Sequence, residues 1–180
     1  MNPSGSKTKN TANYTASRSG MINSGNTSQV YKLDASYFNK IPLFDSLSRG
    51  ELNLLAKHIS CVKVKKHHII AKEGDKGDFV CFIADGKVDV IKGDQKGNEV
   101  VINTLMKGRS IGEMSLIDNT PRSASLRTQT ECVLLKLTKK SFDMILSQYP
   151  EMGIKILKGL ARLLSMNLRK TSGRLADYLD

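Results

Sequence analysis

The sequence has no long apolar run and few cysteines. It contains no stretch of about 18 consecutive apolar residues, and its N-terminus carries no apolar segment, so we expect neither a membrane span nor a secretory signal. A cytoplasmic location is the corresponding expectation. The three cysteines, Cys61, Cys81 and Cys132, stand singly within apolar segments. That spacing predicts reduced, buried thiols and argues against disulfides or a metal cluster.

Acidic residues are outnumbered, but the positive charge is not concentrated in one segment. The net charge is +11, with five basic residues against one acidic residue in 1–40, 17 against 13 in 41–150, and six against three in 151–180. A nucleic-acid surface would be concentrated and interleaved with aromatic residues. We therefore expect no dedicated nucleic-acid surface, although a generally basic protein attracts anionic ligands.

A recognisable catalytic constellation is also missing. An enzyme of this size needs a nucleophile with a base or a set of metal ligands. The three histidines, His58, His67 and His68, show no metal-ligand spacing with acidic residues. We expect a protein that is not an enzyme and that holds no metal or cofactor.

Composition divides the chain into three parts. Residues 1–30 contain 18 Ser, Thr, Asn or Gly and no acid, which predicts a disordered polar tail over 1–34. Apolar residues become frequent from Tyr37 onward. The remaining length suits one ordinary domain over 35–150 with an appended C-terminal helix over 151–180.

The spacing of apolar residues in the middle of the chain changes from helical to strand-like. Ser48-Arg49-Gly50-Glu51 has the spacing of a helix capping box, and the predicted helix after it places Leu52, Leu55, Ala56 and Ile59 on one face. Short runs rich in strand formers follow, at residues 61–64, 68–71, 79–83, 88–91, 100–105, 124–126 and 132–137. Regular short strands separated by turn glycines predict a mainly β sandwich or jelly roll.

The C-terminal part returns to helical spacing. Tyr149-Pro150 ends a helix that buries Phe142, Ile145 and Leu146, and a last helix follows. A heptad seam runs along it through Ile154, Leu157, Ala161, Leu164, Leu168, Thr171 and Leu175, beside a second stripe of Ile156, Leu160 and Leu163. The seam predicts a homodimer and the stripe predicts packing on the barrel. The alternative is that the whole apolar band caps its own domain. Gly159 and Gly173 also count against the seam, because a glycine inside a helix costs about 1 kcal/mol.

The most informative segment is 111–124, where an acid and an arginine lie nine residues apart across a turn. Gly112 has no β-carbon to keep a ligand from the backbone, and residues 113–116 can form one helical turn whose free N–H groups face an anion. Arg122 suits two phosphate oxygens at once, whereas the acceptor-only Glu113 suits a sugar hydroxyl. These opposite preferences predict a pocket for a sugar phosphate.

Gly112-Glu113-Met114-Ser115-Leu116 followed by Pro121-Arg122-Ser123-Ala124 resembles the phosphate-binding cassette of cyclic nucleotide-binding domains. The resemblance covers residues 41–170 and implies a double-stranded β-helix, or jelly-roll barrel, with an N-terminal helix and C-terminal helices. It also implies that Glu113 binds the ribose 2′-hydroxyl and Arg122 the cyclic phosphate. The backbone N–H groups of Met114, Ser115 and Ser123 would bind the remaining phosphate oxygens, and Asn167 would meet the base. Ile111 and Ser115 depart from the usual aromatic and alanine.

The function implied by this resemblance is a sensor of cAMP or cGMP that signals to an unknown effector protein. Only five residues follow Leu175, too few for a helix-turn-helix domain, so direct DNA binding is not expected. Two alternatives remain open, a ligand-independent interaction module with a degenerate pocket and a receptor for a cyclic dinucleotide. The base preference is open too, because the Ser123 hydroxyl could reach the amino group of guanine.

Overall fold

The computed structural model describes residues 29–31, 33 and 35–176. Residues 1–28 of the predicted tail lie outside the described residues. The end of that tail, Gln29–Tyr31, forms a strand, β1, that pairs with the strand over Ile59–Val64. The prediction of disorder over 1–34 is therefore wrong for these three residues, because backbone pairing with a sheet edge does not depend on a hydrophobic composition.

The described residues contain nine strands, four α-helices and two short 3-10 segments. The 3-10 segments are Ala35–Lys40 and Pro42–Phe44, and the α-helices are α1 (Arg49–Leu55), α2 (Glu113–Asp118), α3 (Lys139–Gln148) and α4 (Pro150–Ala176). After β1 the strands are β2 (Ile59–Val64), β3 (Ile69–Ala71), β4 (Phe79–Asp85), β5 (Lys87–Gly93), β6 (Glu99–Met106), β7 (Ser110–Ile111), β8 (Ser125–Thr128) and β9 (Cys132–Thr138).

The strands form two antiparallel sheets, as a jelly roll requires. One sheet has the order β1-β2-β9-β4-β7 and the other has the order β3-β8-β5-β6. Each of the seven predicted strand runs coincides with a strand. The mainly β fold with flanking helices is confirmed, as two facing sheets and not as one continuous closed barrel.

Helix α1 begins as the sequence predicts and ends one turn earlier. Ser48 and Glu51 form both hydrogen bonds of the capping box, which satisfies two otherwise unpaired N–H groups. The helix ends at Leu55, and Ile59 opens β2 opposite Leu137. The assignment of Ile59 to the helical face was wrong because an apolar residue at that spacing fits either element.

The apolar core has two parts. One part lies between the β1-β2-β9-β4-β7 sheet and the helices, and it includes Phe38, Phe44, Phe82 and Ile156. The other lies between the two sheets around Ile83, Val88 and Leu134. Cys61, Cys81 and Cys132 are all buried and free, as predicted.

Helix α4 packs on the domain along the predicted second stripe and leaves much of the heptad seam exposed. Ile156 and Leu160 are fully buried, whereas Ile154, Leu168 and Leu175 are exposed. Gly159 fits this packing because a β-carbon there would stand 2.9 Å from the carbonyl oxygen of Leu43. In the part of the chain that the structure describes, no helix has the length and apolarity needed to span a bilayer.

Candidate functional site

A cavity of about 250 Å³ lies between β7, α2, the segment before β8, and α4. All eight residues predicted to form the site line it, namely Gly112, Glu113, Met114, Ser115, Arg122, Ser123, Ala124 and Asn167. Seven of them come from one continuous segment. The eighth, Asn167, is contributed by the long helix α4.

Gly112 forms the entry to α2. Its φ of 84° lies in the left-handed region. Gly112 is the N-cap residue directly before Glu113, and it has no side chain to make a capping hydrogen bond. Because an N-cap without a side chain makes no capping hydrogen bond, the N–H groups of Met114 and Ser115 at the start of the helix can face a ligand. The single helical turn predicted for residues 113–116 is present as the six-residue helix α2.

The backbone of Arg122 is fixed by a turn on the other side of the cavity. Its N–H donates to the carbonyl of Asp75, and its own carbonyl accepts from Gly74, both at 2.8 Å. Arg122 as a whole residue is 4% exposed. Its Nη1 donates to the carbonyl of Gly112 at 3.2 Å, and its Nη2 donates to that of Phe79 at 2.6 Å.

The Arg122 guanidinium is also stacked 4.4 Å from the ring centre of Phe79. Burial lowers the pKa of Arg122, and the nearby Cys81, Asp78 and Glu113 oppose that shift; arginine nevertheless stays charged in proteins. The Nε–H of Arg122 is buried and has no hydrogen-bond partner within the described residues. An unpaired buried donor is costly, and an anion that reached it would satisfy it.

Glu113 is the buried acid of the cavity, with 8% of its surface exposed. Its Oε2 accepts from the Ser110 hydroxyl at 3.3 Å, and its Oε1 accepts from Nδ2 of Asn167 at 3.4 Å. Burial raises the pKa of Glu113 above its ordinary value, while the Ser110 hydrogen bond and the charges of Arg109 and Arg122 act in the opposite direction. The two polar ends of the predicted pocket thus lie in one cavity.

The remaining cassette residues shape the wall. Ser115 is buried, and its side chain lies against Gly77, where an added β-carbon would overlap it. Ala124 is also buried, whereas Met114 and Ser123 are exposed. The serine that departs from the usual alanine is therefore accommodated by a glycine in the facing turn.

Sequence reasoning missed several lining residues, of which Arg109 and Ser110 are the polar ones closest to Glu113 along the chain. Arg109 donates from Nη2 to Oδ1 of Asn167 at 2.9 Å, and Ser110 bonds Glu113 as described. Strand β7 has only two residues, too few to establish which side chains alternate toward the cavity. Lys170 and Thr171 also line the cavity, one helical turn beyond Asn167.

Comparison with known proteins places this geometry in a family. The family model described as cyclic nucleotide-binding domain matches residues 61–149. A crystal structure of a cyclic nucleotide-binding domain from Methylobacillus flagellatus is 31% identical, has a TM-score of 0.72, and covers 80% of this chain and 81% of that chain. The chain belongs to the cyclic nucleotide-binding domain family.

The curated relatives of this cyclic nucleotide-binding domain are longer proteins. A cAMP-dependent protein kinase regulatory subunit from Blastocladiella emersonii is 30% identical over 120 residues, which is 67% of this chain and 30% of the relative. A cGMP-dependent protein kinase from Plasmodium berghei is 31% identical over 122 residues, 68% of this chain and 14% of the relative. The chain therefore spans less than a third of the length of either relative.

Proposed function

We propose that the protein is a non-catalytic sensor that binds cAMP or cGMP in this cavity and signals to a partner protein. The observation that carries the proposal is the pairing of a buried guanidinium with an unsatisfied Nε–H and a buried carboxylate in one cavity. A cyclic nucleotide has a singly charged phosphate for the first group and a 2′-hydroxyl for the second. Neither an apolar ligand nor a simple anion would use both.

In the proposed complex, the cyclic phosphate lies against Arg122 and the start of α2. The backbone N–H groups of Met114, Ser115 and Ser123 donate to its oxygens, since unpaired N–H groups at a helix start favour an anion. The 2′-hydroxyl donates to the carboxylate of Glu113. The base extends toward α4, where Asn167 lines the cavity.

Binding would be transmitted through α4. Asn167 already joins this helix to Glu113 by a hydrogen bond, so a nucleotide at Glu113 acts on cassette and helix together. A ligand shifts a conformational equilibrium by its differential affinity for the two states. We propose that the resulting position of α4 is what an effector protein recognises, with no direct contact to DNA.

We also propose that two copies associate along the heptad seam of α4. Ile154, Leu168 and Leu175 are exposed on this seam, whereas Ile156 and Leu160 of the neighbouring stripe are buried against the domain. Leucine and isoleucine at such spacing are covered in coiled coils by the same residues of a second helix. A dimer of this kind would carry a movement of α4 from one copy to the other.

The decisive experiment is calorimetric titration of the full chain with cAMP and with cGMP. We expect saturable binding of at least one, and we expect Arg122→Ala to weaken it at least about tenfold, because each hydrogen bond to a charged group contributes about 1.5–3 kcal/mol. Arg127→Ala is the matched control, since Arg127 pairs with Glu99 and does not line the cavity.

Circular dichroism of each variant shows whether the fold is intact. If the folded wild type binds neither nucleotide at millimolar concentration, a ligand-independent interaction module replaces the sensor. If it binds a cyclic dinucleotide in place of both mononucleotides, the ligand assignment is wrong while the pocket assignment stands. Equal binding by the Arg122 variant and the wild type would show that Arg122 does not bind the phosphate.

A further inference from the structure

The α4 side of the cavity carries a cation that the cassette does not explain. Arg109 lines this side together with Asn167, Lys170 and Thr171. It precedes β7 and is half-buried. If the phosphate is bound by Arg122 and the ribose by Glu113, as proposed above, the base is the part of the ligand that reaches Arg109.

Arg109 retains more hydrogen-bonding capacity than its neighbour. A guanidinium has five N–H groups, and among the described residues its one side-chain hydrogen bond joins Nη2 to Asn167. Asn167 uses both ends of its amide, since Oδ1 accepts from Arg109 and Nδ2 donates to Glu113. Arg109 therefore has four N–H groups left for a base, whereas Asn167 has one N–H and one lone pair left.

The two purines differ in what they offer to such a group. Guanine presents two acceptors side by side, O6 and N7, which match the fork of an arginine. Adenine presents an N6 amino donor beside N7, which matches an asparagine amide and opposes a group that only donates. The free donors that guanine needs are present on Arg109, and the Asn167 amide that adenine would use is oriented by its bonds to Arg109 and Glu113.

We propose that Arg109 is a specificity-determining residue that binds the O6/N7 edge of guanine and makes cGMP the preferred ligand. This inference rests on the proposed function, because it requires a cyclic nucleotide in the cavity. It assigns to Arg109 a role separate from that of the Ser123 hydroxyl, whose reach is toward the 2-amino group of guanine.

The test uses cGMP, cAMP and cyclic inosine monophosphate, which keeps O6 and N7 but lacks the 2-amino group. Calorimetry on the wild-type full chain should show cGMP and the inosine nucleotide both binding more tightly than cAMP. Arg109→Ala should weaken both of them by roughly five- to 150-fold, the range for one bidentate base contact. Its affinity for cAMP should change much less.

Arg109→Lys separates the fork from the charge. Lysine keeps the positive charge but presents a single ammonium group, so we expect the preference for O6/N7-bearing nucleotides to be lost in this variant as well. Arg127→Ala again serves as the control and should leave the ratio of affinities unchanged. Unfolding curves of all variants confirm that each measurement is made on folded protein.

Three results would overturn the assignment. Equal weakening of all three nucleotides by Arg109→Ala would mean that Arg109 only positions Asn167 and Glu113. If the wild type bound cAMP as tightly as cGMP, the protein would have no preference for guanine. A loss confined to cGMP, with the inosine nucleotide unaffected, would place the discrimination at the 2-amino group. Absence of binding by all three is different, since it defeats the sensor proposal itself.

Discussion

The guanidinium of Arg122 lies directly against the backbone of Gly112. Its Nη1 donates to the Gly112 carbonyl at 3.2 Å, and a β-carbon on residue 112 would overlap that same nitrogen. Gly112 also has a φ of 84°. Two independent requirements, backbone conformation and space for Arg122, therefore fall on one glycine.

Replacement of this glycine should damage both stability and binding. We expect Gly112→Ala to lower the free energy of unfolding by about 1–2 kcal/mol for the left-handed backbone and by a further 1–3 kcal/mol or so for overpacking against Arg122. The guanidinium must move to accommodate the methyl group, so nucleotide affinity should fall as it does in Arg122→Ala. Urea denaturation and calorimetry measure the two effects.

Gly97→Ala provides a control for the backbone term alone. Gly97 has a φ of 81°, and an added β-carbon there meets nothing within 4 Å. This variant should show only the backbone penalty and bind nucleotide normally. Similar unfolding free energies for the two alanine variants would contradict the close packing of Arg122 on Gly112.

The buried carboxyl of Glu113 should make stability depend on pH. Because burial raises its pKa, the folded protein holds this proton to a higher pH than the unfolded chain. The stability contribution of the protonated acid is therefore complete below the ordinary value of 4.5 and is lost as pH rises through the raised value. We expect Glu113→Gln to exceed the wild type in unfolding free energy at pH 7 and to lose that advantage in acid.

The same substitution tests the ribose contact. Glutamine lacks the charge that strengthens a hydrogen bond from a hydroxyl, so Glu113→Gln should bind cGMP or cAMP more weakly. It should bind the matching 2′-deoxy nucleotide as the wild type does. An equal loss for both ligands in calorimetry would show that Glu113 does not act through the 2′-hydroxyl.

The proposed dimer can be broken at one exposed position of the seam. Leu168 is 69% exposed and lies on the seam, whereas Met166 is 57% exposed and lies two residues away, outside the heptad positions. We expect Leu168→Glu to yield a monomer in sedimentation equilibrium, because a charge buried in a coiled-coil core is costly. Met166→Glu should leave the mass of the assembly unchanged. A monomeric wild type would refute the dimer directly.

Much of the fold could be read from local patterns because the relevant interactions are local. The capping box of Ser48 and Glu51 spans three residues, and the strand runs follow the two-residue period that a pleated sheet imposes. Where these patterns failed, the reason was competition between elements, as at Ile59, or pairing with a distant edge, as at Gln29–Tyr31. Neither outcome is encoded within a short window.

The candidate site divides in the same way. Gly112, Glu113 and Arg122 are recognisable in sequence because their spacing lies within one segment and each residue type has a distinct chemistry. Arg109 and Asn167 are 58 residues apart, and Asn167 and Glu113 are 54 apart. Which polar residue of a 27-residue helix faces the cavity depends on how α4 packs, and Ile156 and Leu160 determine that packing.

By itself, then, the sequence determined the mainly β fold and the two polar residues of the cassette, Glu113 and Arg122, because strand period, helix capping and cassette spacing act over short distances. Only the tertiary structure decided the α4 side of that pocket. The burial of one apolar stripe of α4 against the domain brings Asn167 to Glu113 and Arg109, and Arg109 is the residue that we propose binds the base. On the other stripe, Ile154, Leu168 and Leu175 remain exposed.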